Sequence, residues 1–316
     1  MKSKDFRVFV AQLGALTTVQ RSALVTALSS KGSADDVVGM IEAEFAKAPM
    51  CGHCGSEEFC RWGTATAMKR YKCKACDRTF NALTGTPLAH LHKRELWLGY
   101  ARALVDGVSL RKAASRVGVH LETSFRWRHR FLTAAKNDKA SAVTGIVEAD
   151  ETFILKSAKG SKKLVGRAPR KRGGKAKKKG LSTDEHDAVL IVRDRHGATT
   201  DQMLPDKTFA AYLAPIVAKD AVLVSDGRDA YGAFAYAENI LHVPIISSRG
   251  EHVYEGFHIQ NVNGYTSRFK GWLRPFNGVA SKYLPSYLGW RRSIERDGER
   301  FTPERCLQAA FACRST

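Results

Sequence analysis

The sequence predicts a multidomain chain with N-terminal helices, a small cysteine module, a helix-turn-helix and then an α/β domain built on a mixed sheet. Three observations support this fold class. Four cysteines form two C-x-x-C pairs, a glycine turn separates two short helical segments, and β-branched runs alternate with helical ones in the second half. A length of 316 residues fits several domains. We place them at 1–48, 49–82, 90–136 and 142–292, followed by a C-terminal tail at 293–316.

The composition indicates a folded, basic protein. Lysine and arginine number 51 against 31 acidic residues, a formal net charge of +20, and 44% of residues are hydrophobic. This charge favours a polyanionic partner. A membrane protein is not expected, because no run of about 18 apolar residues occurs. The N-terminus lacks a signal-peptide pattern, and reduced C-x-x-C pairs fit a cytoplasmic chain.

The first 48 residues are expected to form three helices. Apolar residues recur at helical spacing at Phe6, Val10 and Leu13. Thr18 is the expected N-cap of the second helix, and a third, IEAEFAKA, follows Asp35 and Asp36. We interpret this segment as a small helical packing unit.

The cysteine module carries the strongest local signal. Its two C-x-x-C pairs are separated by about 18 residues, a spacing typical of a four-thiolate zinc site. Such a Zn²⁺ would be structural, because no coordination position remains for a substrate. Two unrelated pairs or disulfides are the alternative, and His53 is a possible substitute ligand. The ligands are expected to be Cys51, Cys54, Cys73 and Cys76, which leaves Cys60, Cys306 and Cys313 outside the site.

Three helices are expected over residues 90–136. Ser109 is a good N-cap for the second, Gly118 a good stop, and the third begins directly afterwards, which is the helix-turn-helix pattern. Phe125, Leu121 and Leu132 are expected to face the core. The alternative is an ordinary helical hairpin with a solvated basic face. If the motif binds double-stranded DNA, the arginines available to phosphates or base edges are Arg126, Arg128 and Arg130.

The second half predicts a mixed sheet with flanking helices. Its first strand, AVTGIVEADETFI, is followed by a basic loop at 156–180 and by two strands that turn at His196-Gly197. Strand–helix alternation follows, with a proline interruption expected at Pro285. The loop reads as a solvated, disordered arm that could neutralise DNA phosphates. The lysines and arginine we single out in it are Lys171, Arg172, Lys177 and Lys178.

Two aspartates are expected at strand ends. Asp150 ends one strand-like run and Asp226 ends another, AVLVSD. Two carboxylates at about 4 Å repel by roughly 4 kcal/mol at an effective dielectric near 20, so a cation between them would stabilise the pair. Two divalent ions there would form a site for displacement at phosphorus. A turn or cap role is the alternative for each aspartate, and the nearby competitors are Asp229, Glu148 and Glu151.

These segments resemble a known family. The blocks CGHCGSEEFCRWG, CKACDRTFNALTGTPL, TSFRWRHRFL, VEADETF, VSDGRDAYGAF and HIQNVNGYTSRFKGWLRPFNGVASKYLPSYLGWRR are similar to those of zinc-ribbon insertion-sequence transposases of the Asp-Asp-Asn-Lys kind, within the DDE superfamily. The resemblance runs from about residue 49 to residue 292. It implies a ribonuclease H-like catalytic domain with a mixed sheet.

The resemblance also implies the site residues. The family's two aspartates fall on Asp150 and Asp226, its third position on Asn263 and its lysine on Lys270. The first three would hold two Mg²⁺ or Mn²⁺ ions. Seven residues on a helix put Asn263 and Lys270 on one face. Because related enzymes carry glutamate at the third position, Glu251 and Glu255 stay open as alternatives.

The implied reaction is metal-dependent cleavage at the inverted repeats of an element and joining to target DNA. Two DNA ends must meet, so a homodimer or larger assembly on DNA is expected. The alternatives are a non-catalytic DNA-binding regulator derived from a transposase and a ribonuclease H-like structure-specific nuclease that cuts without joining.

Overall fold

A computed structural model describes residues 3–30, 34–161, 164, 185–204 and 209–312. The chain divides into two compact units. The first consists of Met1–Phe131 with Arg300–Thr316, and the second of Leu132–Glu299. We describe each by itself.

The first unit begins with three helices, α1 (Ser3–Gln12), α2 (Thr18–Ser30) and α3 (Ala34–Lys47). The expected cap of α2 is displaced by one residue. Thr17 accepts a hydrogen bond from the Gln20 backbone N–H, and the Gln20 side chain accepts one from the Thr17 N–H. This reciprocal pair is a capping box, in which the glutamine three residues on selects Thr17 rather than Thr18.

A three-stranded antiparallel sheet follows, formed by β1 (Phe59–Ala65), β2 (Met68–Cys73) and β3 (Thr79–Asn81). Four aromatic rings pack on it. Phe45 of α3 lies 5.2 Å from Tyr71, and Phe59 lies 5.3 Å from Phe80 in an edge-on arrangement, measured between ring centroids. Helix α3 thus contributes to a small aromatic core, so the cysteine module does not depend on a bound metal alone.

The expected trio of helices is present as α4 (Trp97–Val105), α5 (Leu110–Val117) and α6 (Leu121–Phe131). Both predicted boundaries of α5 are confirmed. The Ser109 side chain accepts a hydrogen bond from the Lys112 N–H, and Gly118 ends the helix in the left-handed conformation with φ of 74°.

The second unit contains the predicted mixed sheet. After α7 (Thr133–Asn137), five strands lie in the order β6-β5-β4-β7-β8. Strands β4, β5 and β6 are antiparallel, while β4, β7 and β8 are parallel. The predicted hairpin turn at His196-Gly197 is confirmed between β5 and β6. The strands are β4 (Ile146–Leu155), β5 (His186–Asp194), β6 (Thr199–Leu204), β7 (Val222–Ser225) and β8 (Leu241–Pro244).

Helices cover both faces of this sheet. On one face α8 (Ala210–Leu213) and α9 (Asp229–Glu238) pack over Val147 and Leu223. On the other, α10 (Gln260–Leu273) and α11 (Leu284–Asp297) pack over Ile191 and Val224. Alternate strand residues therefore supply two separate cores.

Two expectations about the C-terminal region are corrected. Pro285 does not interrupt a helix, because it lies in the first turn of α11, where its missing N–H has no partner to lose. The segment expected to be a tail contains α12 (Pro303–Ala312), which belongs to the first unit, with the Phe311 ring 6.4 Å from Trp97. Among the described residues, no helix has the length and apolar character that a bilayer crossing requires.

Candidate functional sites

The four cysteines of the C-x-x-C pairs converge on one point. The sulfur atoms of Cys51, Cys54, Cys73 and Cys76 all lie within 4.8 Å of one another. Cys51 Sγ lies 3.8 Å from Cys76 Sγ, and Cys54 Sγ lies 3.6 Å from Cys73 Sγ. A tetrahedron with zinc–sulfur bonds of about 2.3 Å has edges of about 3.8 Å, so the sulfurs fit a zinc ion. Disulfides are excluded, because a sulfur–sulfur bond measures about 2.05 Å.

Three further residues lie near these thiols or are candidate ligands: Gly52, His53 and Cys60. The His53 N–H donates to Cys51 Sγ at 3.4 Å, whereas the His53 ring faces the Thr79 carbonyl at 3.3 Å from Nε2. His53 is therefore not placed as a substitute ligand. Gly52 is required by close packing, because a Cβ there would lie 2.2 Å from the Thr84 carbonyl oxygen. Cys60 lies outside the cluster and is exposed.

The acidic site is built by the parallel pairing of β4 with β7. This pairing sets Glu148 beside Val224. Continued for two residues, the same register sets Asp150 beside Asp226. Asp226 directly follows the last residue of β7, as expected. Asp150 is not at the end of its strand, however, because β4 continues to Leu155 through pairing with β5. It lies instead beside the point where the shorter neighbouring strand, β7, ends at Ser225.

A third carboxylate joins the two aspartates. Carboxylate oxygens of Asp150, Glu151 and Asp226 lie within 4.8 Å of one another. From the sequence, Glu151 is only an alternative to Asp150 as a metal ligand. Neighbouring side chains on a strand start on opposite faces, so the two carboxylates are not expected to share a site. Glu151 reaches the pair because β7 ends at Ser225, which leaves this edge of the sheet open.

Among the described residues, Arg228 forms ion pairs with two carboxylates of this acidic cluster. Its Nη1 lies 3.1 Å from Glu151 Oε2, and its Nε lies 3.0 Å from Asp226 Oδ2. Burial opposes the charge on this guanidinium, but Glu151 and Asp226 outweigh it and raise the pKa of Arg228. One arginine thus faces three carboxylates, and Asp150 is not among its ion pairs.

The pKa of Asp150 is changed by its surroundings. Burial, followed by repulsion from Asp226 and Glu151, raises the pKa of the Asp150 carboxyl to about 6. A divalent cation would relieve this repulsion, and hard oxygen ligands such as these suit Mg²⁺ or Mn²⁺. The donor set therefore fits the expected metal.

The two remaining candidates lie on one exposed helix face. Asn263 and Lys270 are both exposed on α10, seven residues apart as expected. Neither alternative glutamate joins the acidic cluster. Glu251 accepts a hydrogen bond from the Ile246 N–H at 3.4 Å, and Glu255 is exposed with φ of 46°.

The three arginines of α6 differ in their exposure. Arg126 is exposed beside Glu122, 3.5 Å away, and Arg130 is exposed while donating to the Pro87 carbonyl at 2.9 Å. Arg128 corrects the expectation. It is fully buried and donates from Nη2 to the Val108 carbonyl at 2.7 Å, so it is not available to DNA.

The core face of α6 also differs from the expected one. Leu121 and Phe125 are each 37% exposed, whereas Trp127 and Phe131 are buried and Leu132 is buried as expected. The Tyr100 ring packs edge-on against Trp127 at 5.3 Å, which selects this face. The expected contacts from the basic loop, Lys171, Arg172, Lys177 and Lys178, lie outside the described residues.

Comparison with known proteins adds independent findings. Residues 142–291 match the ISXO2-like transposase domain. Over 245 residues the chain is 27% identical to an uncharacterized protein in transposable element ISH50 of Halobacterium salinarum, covering 75% of this chain and 82% of that protein.

Solved structures give weaker matches. An intasome of simian T-cell lymphotropic virus in complex with a PP2A regulatory subunit is 9% identical, covering 62% of this chain and 68% of that one, with a TM-score of 0.28. A pre-cleavage Mos1 transpososome is 14% identical, covering 68% and 79%, with a TM-score of 0.17. Scores this low do not establish a shared arrangement.

Proposed function

We propose that this chain, whose residues 142–291 match the ISXO2-like transposase domain, cleaves the ends of an insertion sequence and joins them to target DNA. The observation that carries the proposal is the cluster of Asp150, Glu151 and Asp226, whose carboxylate oxygens lie within 4.8 Å of one another. The parallel pairing of β4 with β7 brings these residues together where β7 ends.

The acidic cluster would hold the metal. Asp150 and Asp226 would hold two Mg²⁺ or Mn²⁺ ions, and the chemistry supplied by such a pair is activation of the attacking oxygen and stabilisation of the leaving oxygen. Arg228 holds Asp226 and Glu151 in place through its ion pairs and offsets part of their charge. We assign Asp150 and Asp226 as the principal ligands.

Helix α10 would supply the remaining contacts. The Asn263 side-chain oxygen can ligate a metal but adds no charge and takes up no proton. Lys270, two turns further on, would contact a phosphate next to the scissile bond. Positioning and charge neutralisation then provide most of the rate enhancement.

DNA binding rests on the charge of the chain and on its exposed arginines. Arg126 and Arg130 are the candidates on α6, and the loop at 156–180 would add further phosphate contacts. The four-cysteine module would hold a structural Zn²⁺ and help to recognise the inverted repeats. Since two ends are joined in one event, we propose a dimer or larger assembly on DNA.

The proposal is tested with purified full-length protein and a labelled DNA duplex carrying the element end. Wild-type protein with Mg²⁺ should nick the end and transfer the new 3′ end to a plasmid. Asp226→Asn should bind the duplex normally but cut it about 100- to 1,000-fold more slowly, the loss typical for a group that stabilises charge in the transition state.

Asp229→Asn is the matched control. Asp229 lies three residues away, is exposed, and is outside the acidic cluster. It should cut at the wild-type rate. Cleavage without joining would identify a nuclease instead, and binding without any cleavage would identify a regulator; either result contradicts the proposal.

A further inference from the structure

Glu148 is a fully buried carboxylate on β4, two residues before Asp150. Its two oxygens accept four hydrogen bonds. Oε1 accepts from Asn261 Nδ2 at 2.8 Å and from Arg195 Nε at 3.1 Å. Oε2 accepts from the backbone N–H of Asn261 at 2.8 Å and of Val262 at 3.0 Å. Strand β4 is thereby joined directly to the first turn of α10.

Local sequence provides one acceptor for the start of α10, because His258 Nδ1 accepts a hydrogen bond from the Gln260 N–H at 3.3 Å. His258 Nδ1 also lies 3.4 Å from Glu148 Oε1. Its N-cap residue is Ile259, whose side chain makes no capping hydrogen bond. The N–H groups of a first helical turn have no partner within the helix, and a carboxylate is a favourable acceptor for them. Glu148 supplies that carboxylate from another element. Of the first three N–H groups of α10, the strand therefore satisfies those of Asn261 and Val262, and local sequence satisfies that of Gln260.

Glu148 is unsuited to bind a metal itself. A carboxylate has about four acceptor sites, and all four are used by donors that belong to the protein. Accordingly, Glu148 is not part of the acidic cluster formed by Asp150, Glu151 and Asp226. Glutamine at this position could not accept all four hydrogen bonds, because its N–H₂ group would face donors of the protein.

We propose that Glu148 is the positioning residue that sets α10 against the strand bearing Asp150, so that Asn263 and Lys270 are held at the distance the reaction requires. The inference rests on the proposed function. Glu148 and Asp150 project from the same face of β4, because strand side chains alternate. Val262, whose N–H donates to Glu148, directly precedes Asn263 in α10. A displacement of the Glu148 carboxylate should therefore displace Asn263 by a similar distance.

Glu148→Asp tests this geometry while keeping the charge and all four acceptor sites. Removing one methylene withdraws the carboxylate by about 1.5 Å, a C–C bond length comparable to the Cα–C bond. A misplacement of about 1 Å can lower a rate by about 100-fold. We expect single-turnover cleavage to fall by about this factor, while Mn²⁺ binding to the Asp150–Asp226 site stays within threefold of wild type.

Glu295→Asp is the matched control. Glu295 contacts α10 through the Arg268 side chain, which is 51% exposed and can adjust without moving the helix backbone. Glu295 also lies outside the acidic cluster. The same shortening there should leave cleavage by the folded protein within threefold of wild type. Circular dichroism would verify that both variants are folded.

A second readout does not depend on activity. In protein labelled with [¹⁵N]asparagine, bound Mn²⁺ should broaden the side-chain amide signal of Asn263. Glu148→Asp should reduce this broadening, and Glu295→Asp should not. A wild-type cleavage rate with unchanged broadening would show that Glu148 only caps the helix, and loss of Mn²⁺ binding would show that it is a ligand.

The two proposals fail separately. If wild-type protein binds Mn²⁺ but does not cut DNA, the transposase chemistry is wrong, while the broadening comparison still decides the role of Glu148. If wild-type protein cuts and Glu148→Asp cuts equally well, only the positioning role is wrong.

Discussion

Arg292 of α11 and Asp201 of β6 form an ion pair in which each side chain is only 3% exposed. The guanidinium of Arg292 also donates to the carbonyls of Asp138 and Ala135, at 2.9 Å each. Burial lowers the pKa of Arg292 to about 10. This one residue connects α11, the sheet and the segment around α7 within the second unit.

Removing one partner of this pair should be costly. Arg292→Met leaves Asp201 charged and buried, so we expect a loss of about 3–5 kcal/mol in the free energy of unfolding. Urea denaturation measures it. Lys219→Met is the control, because Lys219 is 67% exposed in its pair with Glu238, and it should lose no more than about 1 kcal/mol. Equal losses in the two variants would contradict this view of the pair.

The four-thiol site should bind one zinc per chain. Cys73→Ser should abolish stoichiometric zinc, whereas Cys60→Ser should retain it, because Cys60 lies outside the cluster. Metal analysis of the purified variants measures both. Small zinc modules gain about 10–16 kcal/mol from their metal, so a chelator should destabilise β1–β3, while the aromatic core shared with α3 limits the loss. Zinc loss in Cys60→Ser together with full zinc in Cys73→Ser would show that the ligand set is wrong.

Acid should weaken the second unit through Glu295. Burial opposes the charge on Glu295, but hydrogen bonds from Arg268 and Arg193 outweigh it and lower the pKa of the carboxyl from 4.5 to about 2. Because the folded pKa is below the unfolded one, this stabilisation is present above pH 4.5. It is lost as the pH falls from about 4.5 towards 2.

Glu295→Gln should therefore be less stable than wild type at pH 7 by about 1 kcal/mol, since partial exposure screens the ion pairs. The difference should shrink as the pH approaches 2. Thermal unfolding at several pH values measures it. A difference that stays constant across this range would rule out the charge of Glu295 as its source.

The two classes of arginine on α6 should behave differently. Arg126→Ala and Arg130→Ala should weaken DNA binding and reduce the slope of log K against log salt by about 0.9 for each lost phosphate contact. Arg128→Met should instead lower stability, because its guanidinium is buried and holds the Val108 carbonyl. Filter binding at several salt concentrations, with unfolding in parallel, separates the effects. A reduced salt slope in folded Arg128→Met would contradict the assignment.

Local chemistry made several features predictable from sequence. The capping side chain of Ser109, the left-handed φ of Gly118 and the turn at His196-Gly197 depend on a few adjacent residues, and all are present in the structure. The convergence of the four cysteines was predictable for the same reason, since each C-x-x-C turn brings two sulfurs together. The mixed sheet followed from the order of strand-like and helical runs.

Long-range packing decided the rest. Arg128 is buried because the face of α6 that meets Tyr100 contains Trp127, and no periodicity of α6 alone could select that face. Glu151 joins Asp150 because β7 is shorter than β4, which is a property of two strands far apart in sequence. Glu148 caps a helix that begins more than 100 residues later.

The sequence by itself determined which residue types could bind zinc, magnesium and phosphate, because those affinities belong to the side chains. Only the tertiary structure decided which of them share a site. A carboxylate acts as a ligand, a cap or an ion-pair partner according to the charges and donors within a few ångströms, and distant segments of the chain supply most of these.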